Sequence, residues 1–576
     1  MTDIQLSVTP EKNQSFIGTL TPTVVAVSDL ANIIILTDGS SSLRLEDFQK
    51  VVYDDDFLYM AFGNRSKINY IIKISNDFTT LHQKQLDEGA SSTLRYPTIN
   101  FIDAAKTQLV YAGEGAGTMF TDIFDVLDGV YHLHDSTDQF QNKWWGAYIY
   151  YPRSAVLDSS GNIIFYGYSA STASYNYLKY NSSRSYQSMR NIPTQDIRCA
   201  IYENSALHCI GRDGTSPGIY KINTTTDAVS AFYSVSKATY TIVPDKIFYD
   251  SNDKFYITSI SNDGSSKYYG HIMQISQDLT TKNYDKFFSI AGGDLTFTGC
   301  CEYDGYIFAT GYTPNVSGGN DGIIVKLSMT DLSLVDTVIM KDLTNSYIVP
   351  TNLATVGTEL VIYANLKDVS ANITPSIIKI IGSNIASLKG AIDSTSRFSF
   401  SDISLTETDA ATTYASASKS ATTPVGSSII GNSNYTTAVE PITTTTASIP
   451  LTEITLTLTP ASTATQGEAP NTITQSFALT TDVKCSVNSI VFTNSDITIE
   501  SGYDAGEVNV PFELDVAPDS KNIVLTVDPT NFSTDEIQIK TTISDSTASN
   551  SFDFIGYVSK SFSRSVAKKI LSQDKV

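Results

Sequence analysis

Cysteine, histidine, tryptophan and basic residues are scarce in this chain, and each scarcity removes a class of protein. Five cysteines in 576 residues cannot form a disulfide scaffold. Cys199 and Cys209 flank a turn in "CAIYENSALHC" and read either as a cross-strand bridge or as two buried thiols. Cys300 and Cys301 are adjacent, so in a strand they point to opposite faces and read as core residues. Lys and Arg total 38 against 60 Asp and Glu, a net charge of −22, which argues against a phosphate-binding surface and against nucleic acid as a partner. No stretch reaches 18 uninterrupted apolar residues, so no transmembrane segment is expected. The opening "MTDIQLSVTPEKNQSF" has no basic region followed by an apolar core and does not read as a secretory signal.

What the chain does have is hydroxyls, amides and 33 tyrosines, the composition of pleated surfaces. An all-β fold is expected. One pattern recurs: an acidic or polar turn, then five or six apolar residues ending in a small one. It ends at Gly63, Gly113, Gly167, Gly211, Ser259, Gly311 and Ala364, at intervals of 44 to 54 residues. A second strand follows in most copies and carries a single lysine: Lys73, Lys179, Lys221, Lys326 and Lys379, with Gln274 in the fifth copy. The second copy, "DIFDVLD", departs from the pattern. A lysine in an alternating strand can lay its stem on apolar surface while its ammonium reaches solvent, a carboxylate or a carbonyl.

Four short strands per repeat of about 50 residues is the signature of a propeller blade, which buries its faces only against neighbouring blades. The repeats resemble seven-bladed bacterial β-propellers of the form "D-G-apolar-strand-G … apolar-strand-K-L". That resemblance carries no catalytic residues with it. The expected organisation is an N-terminal extension and ring-closing strand (1–49), a seven-bladed β-propeller (50–390), a Thr/Ser-rich linker or stalk (391–450), an immunoglobulin-like β-sandwich (451–563) and a basic tail (564–576). Eight blades are the alternative, with residues 22–48 contributing an abbreviated one.

Candidate chemistry is sparse. "HLHD" places His132 and His134 on one face of a strand, a weak two-nitrogen metal site with no third ligand to name. Acidic turns at Asp54–Asp56, in "SNDG" and in "GNDG" have carboxylates that suit Ca²⁺, but the regular loop with a distal Glu is missing, so ordinary strand connections are the plainer reading. Otherwise no cofactor is expected. Aromatics cluster in "WWGAYIYYPRS", and Trp144, Trp145, Tyr148, Tyr150 and Tyr151 are candidate ligand contacts on a loop between strand-rich units.

Acidic, Tyr/Thr/Ser-rich, cysteine-poor chains of this kind resemble phage virion proteins of tail or fibre type. That resemblance implies a non-enzymatic structural or recognition protein located in a virion. Its partners would be other structural proteins of the same assembly and a host-surface glycan or protein. The alternatives are an extracellular surface adhesin and a propeller enzyme, a glycan hydrolase or lyase.

Overall fold

The computed structural model describes residues 14–26, 30–37, 43, 45, 51–63, 68–87, 94–115, 118–125, 132–133, 143–145, 151–169, 174–192, 196–213, 216–315, 317–367, 372–417, 429–432 and 443–449, with short strands between 456 and 558. The chain divides into two compact units, residues 31–449 and a terminal unit made of 1–30 with 450–576.

Residues 31–449 form an all-β propeller in which six blades are recognised. Among the described residues, strand pairing yields seven antiparallel sheets, numbered 1 to 7 here in chain order. Sheet 6 illustrates the plan: Thr296–Tyr303, Tyr306–Pro314, Asn320–Ser328 and Leu334–Asp342 pair in sequence. Its first hairpin turns at Asp304 and Gly305, both at positive φ (50° and 71°), the conformation a two-residue hairpin needs. The first strands of successive sheets lie against one another and line the centre of the ring.

The core lies between sheets, which is why the inner strands are apolar on both faces. Phe165 and Leu178 of sheet 3 meet Val110 of sheet 2, and Tyr256 of sheet 5 meets Ile307 and Val325 of sheet 6. Tyr363 and Ile377 of sheet 7 meet Leu58 and Ile72 of sheet 1, so the last sheet packs on the first. Ala31–Thr37 supplies the fourth strand of sheet 7 by pairing with Ile373–Ile381, the closing role expected of the N-terminal segment.

All seven repeat markers fall on the second strand of their sheet. In sheets 3 to 7 the residue facing the lysine or glutamine is three before the marker: Ile164, His208, Tyr256, Phe308 and Val361. In sheet 1 Lys73 faces Tyr59, so Phe62 rather than Gly63 holds the equivalent place. In sheet 2 the lysine position is Ile123, opposite Val110. The small residue is required by the first strand, which bulges opposite it in sheets 3 to 7. At Gly311 a Cβ would sit 1.9 Å from the Thr296 carbonyl oxygen.

The expected linker is not a stalk. Its strands run backward around the ring as a belt, each pairing with an outer edge: Phe398–Ser401 on sheet 6, Leu405–Asp409 on sheet 5, Thr413–Ala417 on sheet 4, Ile429–Asn432 on sheet 2 and Thr443–Ile449 on sheet 7. Threonine-rich sequence suits this role, because an added edge strand is held by backbone hydrogen bonds and needs little apolar surface.

The terminal unit contains two sheets. One is ordered Phe512–Leu514, Cys485–Thr493, Gln14–Ala26, Ser551–Val558 and Ile543–Ser544. The other is ordered Leu456–Pro460, Ile473–Thr481, Lys521–Val527 and Tyr503–Asp504. Gln14–Ala26 therefore belongs with the C-terminal strands, so of the segment 22–48 expected to close the ring only the part from Ala31 does so. The basic tail 564–576 lies outside the described residues.

Candidate functional site

Three of the repeated lysines, with Gln274, fasten one sheet to the next. Lys179 donates to the Thr224 carbonyl and Lys379 to the Asn76 carbonyl, while Lys326 reaches the Ser383 carbonyl at 3.1 Å and Gln274 the Met329 carbonyl at 3.1 Å. Each acceptor follows the third strand of the next sheet, and Lys379 ties sheet 7 back to sheet 1. The ammonium of Lys326 also lies 3.8 Å from the Tyr306 ring centroid.

Trp144 and Trp145 do not lie on a loop. Lys143–Trp145 is a strand of sheet 2, paired on one edge with Thr118–Asp125 and on the other with the belt strand Ile429–Asn432. Tyr148 and Tyr150 lie outside the described residues, and Tyr151 opens the first strand of sheet 3. The backbone of His132 pairs with that of Asp125, and His134 lies outside the described residues. Among the described residues no group of three or more His, Cys, Asp or Glu is placed to hold a metal. The acidic turns are closed by their own backbone: Asp54 Oδ1 accepts from the Asp56 and Phe57 amides at 2.9 and 2.7 Å, and Asp263 Oδ1 accepts from the Ser265 amide at 2.9 Å.

Cys199 faces Ile210 and Cys209 faces Ala200, one place out of register because the turn is the pair Asn204–Ser205. The two side chains enter different cores, and both are free thiols. Burial pushes the Cys301 thiol up to about 12, so it is no nucleophile at neutral pH. His271 and Asp285, 2.6 Å apart, have the form of an acid–base pair but are buried. The second oxygen of Asp285 takes Lys282 Nζ at 2.6 Å and the Thr412 amide and hydroxyl at 2.8 and 2.6 Å, which fastens the belt to sheet 5.

Open space occurs at the rim where fourth strands connect to the next first strand and second strands turn into third. A cavity of about 660 Å³ is walled by Tyr268, Tyr312 and Pro314 with Arg198, Thr241, Asn262, Ser266 and Asp294. It shares Arg198, Ile260, Thr296 and Tyr312 with a narrower one of about 200 Å³ that runs past Asp245, Thr298 and Tyr347. Tyr268 is 39% exposed, and Asp294 fixes its backbone by accepting its amide at 2.9 Å. The combined volume lies in the range of small-ligand sites, with aromatic walls, neutral polar groups and the charged side chains of Arg198, Asp245 and Asp294.

Three bulge residues, Arg198, Asp245 and Thr298, line these cavities. The extra residue in the first strands of sheets 3 to 7 is Arg153, Arg198, Asp245, Thr298 and Thr351. Thr298 and Thr351 donate to carbonyls of their own second strands, Thr310 at 3.3 Å and Tyr363 at 3.1 Å. Arg198 and Asp245 instead meet across two sheets at 3.4 Å, with Lys246 Nζ 3.8 Å from the other Asp245 oxygen. The sequence reading missed these residues, although a signal was available. Pro97, Pro152, Pro244 and Pro350 lie inside first strands, and an interior proline marks a bulge or an edge.

No family model matches the chain, and no curated protein does. Among solved structures, the polysaccharide lyase Uly1 aligns at TM-score 0.39 and 8% identity, over 58% of this chain and 89% of that one. The endosialidase of phage phi92 aligns at 0.37 and 9%, over 62% and 70%. A protein from Lactobacillus plantarum aligns at 0.34 and 12%, over 56% and 96%. At such identities the matches say nothing of activity.

Proposed function

We infer that the chain is a non-catalytic recognition protein whose propeller binds a glycan at the rim cavity. The observation that carries this is the cavity of about 660 Å³ itself, which Tyr268 and Tyr312 line beside Thr241, Asn262, Ser266 and Asp294. Sugars present apolar ring faces rimmed by hydroxyls, so aromatic walls with short polar side chains complement them. The setting that fits the composition is a virion, as a tail or fibre component, with a surface adhesin as the other possibility. In that reading the terminal unit, an immunoglobulin-like sandwich, contacts other proteins of the assembly. The ring is seven-bladed in this reading, supported by the seven sheets and the Lys379 tether from the last to the first.

The test is a glycan array probed with the full chain and with Tyr268→Ala combined with Tyr312→Ala. The variant should lose binding by about tenfold or more, as loss of aromatic anchors does, with an unchanged melting curve. Unchanged binding by the variant, or a bound glycan cleaved on prolonged incubation, would overturn the reading.

A further inference from the structure

We propose that the glycan is bound as a chain of at least three sugar units laid along a groove, not as a single terminal sugar; this rests on the glycan-binding assignment above. A third cavity, of about 550 Å³, adjoins the two already described. It is bounded by Lys267, Gly292, Gly293 and Asn315, and it shares Ser266, Asp294 and Pro314 with the cavity that Tyr268 and Tyr312 line. The narrow cavity of about 200 Å³ shares no residue with this third one and joins the tyrosine-lined one through Arg198, Ile260, Thr296 and Tyr312 instead. Three compartments therefore run in series, with the tyrosines in the middle one. A pocket for one small ligand holds roughly 300–1,000 Å³. The middle and outer compartments, at about 660 and 550 Å³, together exceed that range.

The outer compartment is walled by connections, and each is fixed within the protein. Residues 263–267 join the second and third strands of sheet 5, and Asp263 Oδ1 holds that turn by accepting the Ser265 amide at 2.9 Å. Residues 291–295 lead from sheet 5 to sheet 6, and the Leu295 amide donates to the Tyr268 carbonyl at 3.1 Å. Asn315 opens the connection to the third strand of sheet 6. Its Oδ1 accepts the Gly319 amide at 3.0 Å and its Nδ2 donates to the Ser346 carbonyl at 2.9 Å. Walls already held in place need little ordering when a ligand enters. Once one sugar is bound, each further unit adds contacts without a second loss of translational freedom, so affinity climbs with chain length until the compartments are filled.

Titration of the full chain with the best hit of the glycan array, prepared as a ladder from one sugar unit to six, tests this. Affinity should rise at least about tenfold between one unit and three. Gly293 offers a way to block the outer compartment. A Cβ there would meet its nearest atom, Ile290 Cγ2, at 3.6 Å, an ordinary contact, so Gly293→Phe adds a ring without strain. The variant should bring the three-unit ligand down to the affinity of the two-unit one. Ser265→Trp, at an exposed position of the 263–267 turn, carries the test if the phenylalanine variant does not fold. Equal affinity at every length, or a rise that is as steep in both variants as in the wild type, would overturn this inference and leave glycan recognition standing. An array with no hits at all would overturn both.

Discussion

At the scale of single residues, a buried histidine makes the propeller sensitive to acid. His208 lies opposite Lys221 in sheet 4, its Nε2 3.1 Å from the Glu203 carbonyl oxygen and its ring 4.5 Å from that of Phe255. Burial, with a smaller contribution from Lys221, brings it down to about 4 from 6.5. Between those values the unfolded chain binds a proton that the folded chain refuses, so stability falls as pH falls through that window. The penalty from this one group should reach roughly 2–3 kcal/mol between pH 7 and pH 4.5. His208→Gln keeps a donor for the Glu203 carbonyl and removes the titration. Denaturant melts across that range should show the wild type losing that much more than the variant. Parallel curves would mean that the proton is accommodated. The repeat alignment predicted that His208 lies in the second strand, but its burial depends on what sheet 5 lays over it, which no local pattern encodes.

Elements were legible in proportion to how regular their surroundings are. The second and third strands, buried on both faces between neighbouring sheets, are the apolar runs from which the repeat was read. The first strands were harder, because their bulges break the alternation at Arg153, Arg198 and Asp245, the last two of which line the rim cavities. The belt was misread because threonine-rich segments of low hydrophobicity look alike whether they are free or paired to an edge. The lysines show what the third strand does for its neighbours, and their cost of removal should differ between sheets. Lys326 is half-buried, burial holds its ammonium below the ordinary lysine value, and it has one carbonyl partner. Lys326→Met should cost about 1 kcal/mol. Lys379 is 3% exposed, donates to Asn76 across the ring closure and pairs with Glu359 at 2.7 Å. Lys379→Met leaves that carboxylate without its cation and should cost about 3 kcal/mol. Equal losses in chemical denaturation would show that the closure between sheets 7 and 1 is no different from any other.

For the whole molecule, the question is which stretch of chain is a folding unit, and the two answers available can be set against each other. Repeat spacing alone bounds a propeller at 50–390. Strand pairing bounds it at 31–449, because Ala31–Thr37 supplies the fourth strand of sheet 7 and the belt covers outer edges up to Ile449. The shorter piece would expose the outer edge of Ile373–Ile381, where Ile377, Ile378 and Ile380 are at most 1% exposed in the intact unit. It would also remove Arg397, whose guanidinium meets Asp342 at 2.7 Å, and Thr412, which holds Asp285. Unpaired apolar edges invite association with other chains. Expressed separately, 31–449 should be monomeric, melt cooperatively and bind the array glycans as the full chain does, whereas 50–390 should aggregate or fail to fold. The terminal unit, built from both chain ends, should leave ligand affinity unchanged when removed. If 31–449 folds but binds nothing while the full chain binds, recognition belongs to the strands of 1–30 and 450–576, and the rim cavity is not the ligand site.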